Sequence, residues 1–443
     1  MSPGPARLRR SIGLWDLVFY GIVMVQPTAP MPLFGIVGQE ARGHTVTAVF
    51  VAGMAMLLTA LSYGRMAAAH PNAGSAYTYA GRELHPSVGF LTGWAVILDY
   101  LLNPVISTIW CAKALDNIVS GVPFAVLVAA LALLFTFLNL QGIRTSARAS
   151  EVLVIGMAAV ITVFLIAAAR HIFGLPPAGA ARFTRPFYDA GTFSFPLVAT
   201  GTSIALLTYI GLDGMSTLSE EVENPRRNIL RAMVTASGLT VFFSCLQVYA
   251  GQLVWPEYNT FADVDTAFVQ VAGRAGGPVL FQVVNLTLLV ATVGSGMGSQ
   301  LAAARLLYGM GRDNAIPSGF FGAIEPKRGI PRNNVLFTGA LILVGALTMS
   351  YQFGAELLNF GAFIAFMGVN ASAFRRAVRD RSGVLTHWVP PVLGFLICFA
   401  IWLNLRTAPK LVGGAWMALG LVYAAVKTGG FRRTFILSDP PPD

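Results

Sequence analysis

Charge is scarce in this chain. Charged residues make up 11% of its 443 positions, where soluble domains carry about 25%. An ordinary soluble fold is excluded, because it needs far more hydrated surface than that supplies. Cysteine is nearly absent: Cys111, Cys245 and Cys398 all lie within or at the ends of apolar runs. They offer neither a disulfide framework nor metal-ligand spacing, so no metal site is expected. The histidines, His44, His70, His85, His171 and His387, all fall near loops. A histidine proton relay at membrane depth is not expected, and no Ser-His-Asp, Cys-His or HExxH arrangement supports hydrolysis. The chain does not read as an enzyme. GSGMGS at 294–299 lacks the Lys-Ser/Thr of a phosphate loop and sits in an apolar run, which suits helix packing. Ser295 and Ser299 within it are weak candidates for an ion. The opening MSPGPARLRRSIGLW lacks the apolar core and cleavage site of a signal peptide.

What is present is apolar sequence, 55% hydrophobic residues overall. About twelve windows reach the ~20 residues that a spanning helix needs. They are 13–36, 45–69, 88–112, 122–141, 151–169, 193–219, 230–254, 277–306, 334–351, 355–374, 388–405 and 411–426. The fold expected is an all-α integral membrane protein with about 12 transmembrane helices. A net charge of +10 could suggest nucleic acid, but its placement argues for topology. With both termini inside, roughly 22 of the 30 Lys and Arg residues fall in inner loops. Membrane lipids are the expected surroundings, with no nucleic acid and no obligate protein partner.

Two of these windows are interrupted. The first, Gly21–Pro32, reads GIVMVQPTAPMP and holds Pro27, Pro30 and Pro32, each of which removes a helical donor. The second, Tyr209–Gly214, places Asp213 between glycines in YIGLDGMS. Lipid offers no partner to a freed N–H or C=O, so such breaks survive only where they line a protected cavity. Two breaks in corresponding positions of two halves point to the central site of a transporter. The substrate-binding candidates at the breaks are Gln26, Thr28, Ala29, Tyr209, Gly211 and Asp213. Asp213 either bonds to the freed amides of its own turn or takes part in recognising a cation or coupling a proton. Asp99 lies about ten residues into its window, near mid-membrane at 1.5 Å per residue. It either faces the cavity or bonds between helices. Tyr100 beside it offers an aromatic face suited to an alkylammonium, although adjacent helical residues point about 100° apart. Tyr20 and Phe360 are further aromatic candidates.

Four stretches carry a family resemblance: HPNAGSAYTYAGRELHPSVGFLTGWAVILDY at 70–100, YIGLDGMSTLSEEVENPRRNILRAM at 209–233, ARLLYGMGRDNAIP at 304–317 and LLNFGAFIAFMGVNASAF at 357–374. They resemble the amino acid–polyamine–organocation permeases. Within that family, RLRRSIGLWDLV, GSAYTYA, LLYGMGRDN and the Asp99-Tyr100 pair are most similar to bacterial putrescine importers. The resemblance implies a LeuT-like fold, with a 5+5 inverted repeat followed by two C-terminal helices. Its parts would be a cytoplasmic tail at 1–12, repeats at 13–190 and 191–376, the last two helices at 377–426 and a cytoplasmic tail at 427–443. It also implies proton-driven uptake across the plasma membrane, the bacterial inner membrane, by alternating access and with no other cofactor. By the same resemblance, Tyr100 and the acids of the sixth helix become polyamine contacts. Asp213 and Asp99 become titrating groups, and Glu220 and Glu221 gating or loop-anchoring groups. Two departures stand out. The first break has Gln26-Pro27-Thr28-Ala29-Pro30 in place of a glycine-rich carboxylate nest, and the fifth span, 151–169, holds no lysine. The expected cargo is a putrescine-like amine, with an amino acid, carried by symport or exchange, as the alternative.

Overall fold

The computed structural model describes residues 12–70, 75–119, 121–141, 147–176, 179–218, 222–312, 316–325 and 330–430. The terminal tails lie almost wholly outside these residues, as do Glu220 and Glu221. Among the described residues the chain is helical, with only two isolated β-bridges, Ile12–Val222 and Glu325–Ile330. Eight helices are long and apolar enough to cross a membrane, and Leu14–Val25, Phe124–Leu140, Phe195–Tyr209 and Arg332–Thr348 are shorter apolar helices.

The first half opens with α1 (Leu14–Val25) and α2 (Phe34–Glu40), separated by the proline-rich stretch. It continues with α3 (Thr45–Ala69), the short α4 (Ser75–Glu83), α5 (Pro86–Asp116), α6 (Phe124–Leu140) and α7 (Ala147–Gly174). After the short α8 (Ala181–Thr184) comes a second interrupted helix. Here α9 (Phe195–Ala205) passes into 3-10 turns at Leu206–Tyr209 and Leu212–Leu218. Then follow α10 (Pro225–Val254), α11 (Ala267–Arg312), the short α12 (Ser318–Phe321), α13 (Arg332–Thr348) and α14 (Tyr351–Arg379). The chain ends in α15 (Val389–Leu403) and α16 (Thr407–Lys427). α11 is two helices joined at a bend, where Gly276 and Gly277 (φ 76°) leave helical geometry just before Pro278. With that bend counted and the four-residue α12 set aside, one order of elements occurs twice: an interrupted helix, a long one, a short one, a long one, a shorter one, a long one.

The breaks differ in extent from the sequence reading. Gly21 lies inside α1, which stays helical through Val25; the break spans 26–33. Gln26 leaves the helix with φ 65°. Ala29, Met31 and Phe34 then donate to the carbonyls of Gln26, Thr28 and Met31, so the chain advances by tight i→i+3 turns. The helix ends at Val25 because the first proline is Pro27, whose ring disfavours helical geometry at the residue before it, Gln26. The second break is longer than Tyr209–Gly214: the helix tightens from Leu206, turns extended at Ile210 and is 3-10 again from Leu212. Gly211 (φ 108°) sits against the last turn of α1, just ahead of the other break, where a Cβ would lie 2.9 Å from the Met24 carbonyl oxygen. The two interrupted helices therefore touch.

Pro104 leaves α5 intact, as a single transmembrane proline usually does. Close helix approach comes from small residues: at Gly361 of α14, a Cβ would lie 2.3 Å from the Ala95 carbonyl of α5. GSGMGS is helical within α11, and its Gly296 packs against Phe135 and Ser107.

One ionic knot ties α4 to its neighbours. Glu83, 3% exposed, receives His70 Nε2 at 2.7 Å, Arg376 Nη1 at 2.8 Å and Arg379 Nη1 at 2.8 Å. Burial alone would raise its carboxyl, but these three partners outweigh burial and hold it below its ordinary value. Stability from a depressed carboxyl is present above the unfolded value, about 4.3, and is lost as pH falls through the folded one. Glu83→Gln is expected to lower unfolding free energy at pH 7 by about 1–3 kcal/mol. The advantage of wild type over the variant should shrink progressively as pH falls below about 4.3 in thermal unfolding. A gap that does not narrow at all between about pH 7 and about pH 3 would remove Glu83 ionisation as its cause.

Candidate functional site

A cavity of about 190 Å³ lies where the two breaks meet α5 and α11. From the first break, Gln26, Ala29 and Leu33 border it; from the second, Ile210, Gly211, Asp213 and Gly214. One face of α5 supplies Asp99, Asn103, Ser107 and Trp110, spaced at the helical period. Tyr100 borders it too, so the cavity is wide enough to admit both members of the Asp99-Tyr100 pair. α11 contributes Thr292, Ser295 and Ser299, and α14 contributes Tyr351.

Electrostatically the site is one-signed. Asp99 and Asp213 both border the cavity, and no Lys, Arg or His appears among the described lining residues. The Asp213 turn is closed by the Gly214 N–H, which donates to the Gly211 carbonyl at 3.0 Å, and by the Ser216 hydroxyl, which donates to the Asp213 carbonyl at 2.6 Å. Asn103 is oriented by two hydroxyl donors to its Oδ1, from Ser299 at 3.0 Å and Ser107 at 3.4 Å. Two half-buried carboxyls on one cavity with no cationic side chain favour a ligand that brings positive charge.

Of the residues expected from sequence, Gln26, Ala29, Asp99, Tyr100, Gly211 and Asp213 come together around this cavity. Gln26 is also held in place by its Nε2, which donates to the Ala291 carbonyl of α11 at 3.1 Å. Thr28 and Tyr209 do not border the cavity. Thr28 is 2% exposed, and its hydroxyl points to the Met157 sulfur of α7 at 3.3 Å. Tyr209 is fully buried and donates to the Val49 carbonyl of α3 at 2.9 Å. Its ring supports the break from behind. Phe360 packs on Trp402 and on Gly413 of α16 instead. Glu220 and Glu221 lie outside the described residues. Sequence reasoning missed Asn103, Ser107, Trp110, Thr292 and Tyr351. For the first two the signal was available, four and eight positions beyond Asp99 on one helical face.

The chain resembles known transporters along almost its whole length. Residues 28–430 match the family described as amino acid permease. The chain is 34% identical to the low-affinity putrescine importer PlaP of Escherichia coli K12, over 98% of this chain and 97% of that one. It is 26% identical to the branched-chain amino acid permease BcaP of Lactococcus lactis, over 92% of each. To the vacuolar cationic amino acid transporter 4 of Arabidopsis thaliana it is 28% identical, over 83% of this chain and 63% of the relative.

Cysteine labelling tests the placement of these side chains. Asn103→Cys is expected to react with a small methanethiosulfonate reagent at least about tenfold faster than Thr28→Cys, since thiol reactivity follows access. Equal rates would mean that Thr28 shares the cavity.

Proposed function

The chain belongs to the amino acid permease family, and on that premise we propose that it is a secondary importer of a small putrescine-like amine. It is a multi-span membrane transporter and not an enzyme. In this reading it lies in the bacterial inner membrane with both termini cytoplasmic and twelve spans. The twice-occurring element order corresponds to a LeuT-like pair of inverted five-helix repeats, followed by α15 and α16. Substrate sits at the two breaks and is exposed alternately to each side. Uptake is coupled to protons, with Asp213 and Asp99 as the groups that exchange them.

The observation that carries this reading is the cavity's two carboxyls without a basic side chain. A diamine brings two positive charges and no carboxylate of its own, and the Tyr100 ring offers it a cation–π face. The first break is correspondingly poor in donors. Pro27, Pro30 and Pro32 have no N–H, and the amides of Gln26, Ala29 and Met31 already serve the carbonyls of Ile22, Gln26 and Thr28. An α-carboxylate needs such donors. The second reading, an amino acid permease working by symport or exchange, rests on Gly211. Its positive-φ turn brings backbone to the wall of the cavity, where a carboxylate could meet it. The name of the BcaP relative fits that cargo as the name of PlaP fits the first.

Ligand-dependent thermal stabilisation of the purified protein separates the two. Putrescine at a hundred times its dissociation constant is expected to add about 2.7 kcal/mol, while amino acids add nothing. Stabilisation by an α-amino acid and not by diamines would replace the proposed cargo. Asp213→Asn is expected to fold and insert yet abolish uptake of radiolabelled putrescine in proteoliposomes; normal uptake would remove Asp213 from the mechanism. Tyr100→Ala should weaken apparent affinity by about 1–2 kcal/mol, about tenfold, and Tyr100→Phe by much less. Equal losses would assign the effect to the hydroxyl.

A further inference from the structure

A second pocket, of about 470 Å³, shares no lining residue with the cavity at the breaks. It forms where the last turns of α3 and α14 meet the first turn of α10 and the π-turn Val384–Trp388 ahead of α15. Its walls are apolar or small, including Met66, Ala69, Leu230 and Ala373. Its polar groups are mostly basic: Arg65, Arg226, Arg376 and His387, against the single acid Asp380.

Those charges are unequally committed. Arg376 is already paired with Glu83 at 2.8 Å and with Asp380 at 3.3 Å. Asp380 is further shared with Arg379. Arg65 donates through Nη2 to the Thr386 carbonyl, but its Nη1 is buried and has no hydrogen-bond partner among the described residues. A buried guanidinium nitrogen left without an acceptor is costly. Arg226 is exposed on the first turn of α10, and no described carboxylate pairs with it. The positive end of the α10 helix adds to the same field. Two guanidinium groups converging without acids are matched best by phosphate oxygens, which a guanidinium fork can grip in pairs.

The surroundings indicate where that phosphate comes from. Val384 and Leu385, on the same turn as Thr386 and His387, are 55% and 82% exposed. Apolar side chains so open, at the start of an apolar helix, belong against lipid rather than water. A basic pocket with small apolar walls at this depth has the make-up of a headgroup site. We propose that the pocket binds a phosphate group, supplied by the headgroup of an anionic phospholipid, and that this lipid clamps the α3–α10 pair to α14 and the α15 turn. Inorganic phosphate has the same recognition chemistry and is the rival source.

The test needs no transported substrate, so it succeeds or fails independently of the cargo assigned above. The purified full chain in a neutral detergent is titrated with phosphatidylglycerol, phosphatidylcholine or sodium phosphate at matched ionic strength, and its Tm is read. Phosphatidylglycerol alone is expected to raise Tm. Arg226→Gln, an exposed change that should leave the fold intact, is expected to shift half-saturation to about tenfold more lipid, the effect of losing one charge-assisted contact. Arg65→Gln should do the same or more. Equal lipid-dependent shifts in wild type and Arg226→Gln, or equal effects of phosphatidylcholine, would overturn the site. Stabilisation by sodium phosphate that matches the lipid's and is lost in Arg226→Gln would overturn the lipid as its source.

Discussion

Every backbone polar group at membrane depth needs a partner, and the structure is organised around meeting that demand at two places where helices stop. The freed carbonyls are met by side-chain amides from distant helices. Gln247 of α10 donates to the Pro27 carbonyl at 3.0 Å. Asn359 of α14 donates to the Ser203 and Ile204 carbonyls, at 2.6 and 3.4 Å, where α9 begins to tighten. Both amides are fully buried. The Tyr209 hydroxyl does a related service, binding the break to α3. Remove these partners and the breaks would regain a reason to close into helix or to open to water.

The polar groups divide accordingly into two populations. One is turned away from the cavity: Gln247, Asn359 and Tyr209 serve backbone carbonyls, and Thr28 meets the Met157 sulfur. The other borders the cavity and leaves chemistry for a ligand: Asp99, Asn103, Tyr100, Asp213. Asp213 belongs to both, because its backbone carbonyl accepts from the Ser216 hydroxyl while its side chain borders the cavity. Charge follows the same division. Acid is concentrated at the cavity, whereas arginines gather where α3 and α14 end and α10 begins.

Much of this was legible in the sequence. Each apolar window falls on a helix or on one of the two interrupted helices, and the proline and glycine clusters mark both breaks. Their edges are displaced because the first break starts only at the residue before Pro27 and the second extends along 3-10 turns on either side of Gly211. The acids at depth, Asp99 and Asp213, do border one cavity. The direction of neighbouring side chains within a break was not legible. Thr28 and Ala29 are adjacent, yet one faces α7 and the other the cavity, since irregular backbone has no period to read. The supporting amides were hidden for another reason. Gln247 and Asn359 act on carbonyls 220 and 156 residues away, and their helices carry no local sign of it.

The contact between Gly211 and Met24 has a mechanical consequence. With no space for a single added carbon between them, the two interrupted helices share a fulcrum at the centre of the protein. A tilt of either one is transmitted at that point to the other, so the walls of the cavity move as a coupled pair and cannot drift apart independently. Gln26 and Asp213, one on each interrupted helix, are therefore held in register with each other, whereas the Asp99 and Tyr100 wall on α5 stands outside this joint.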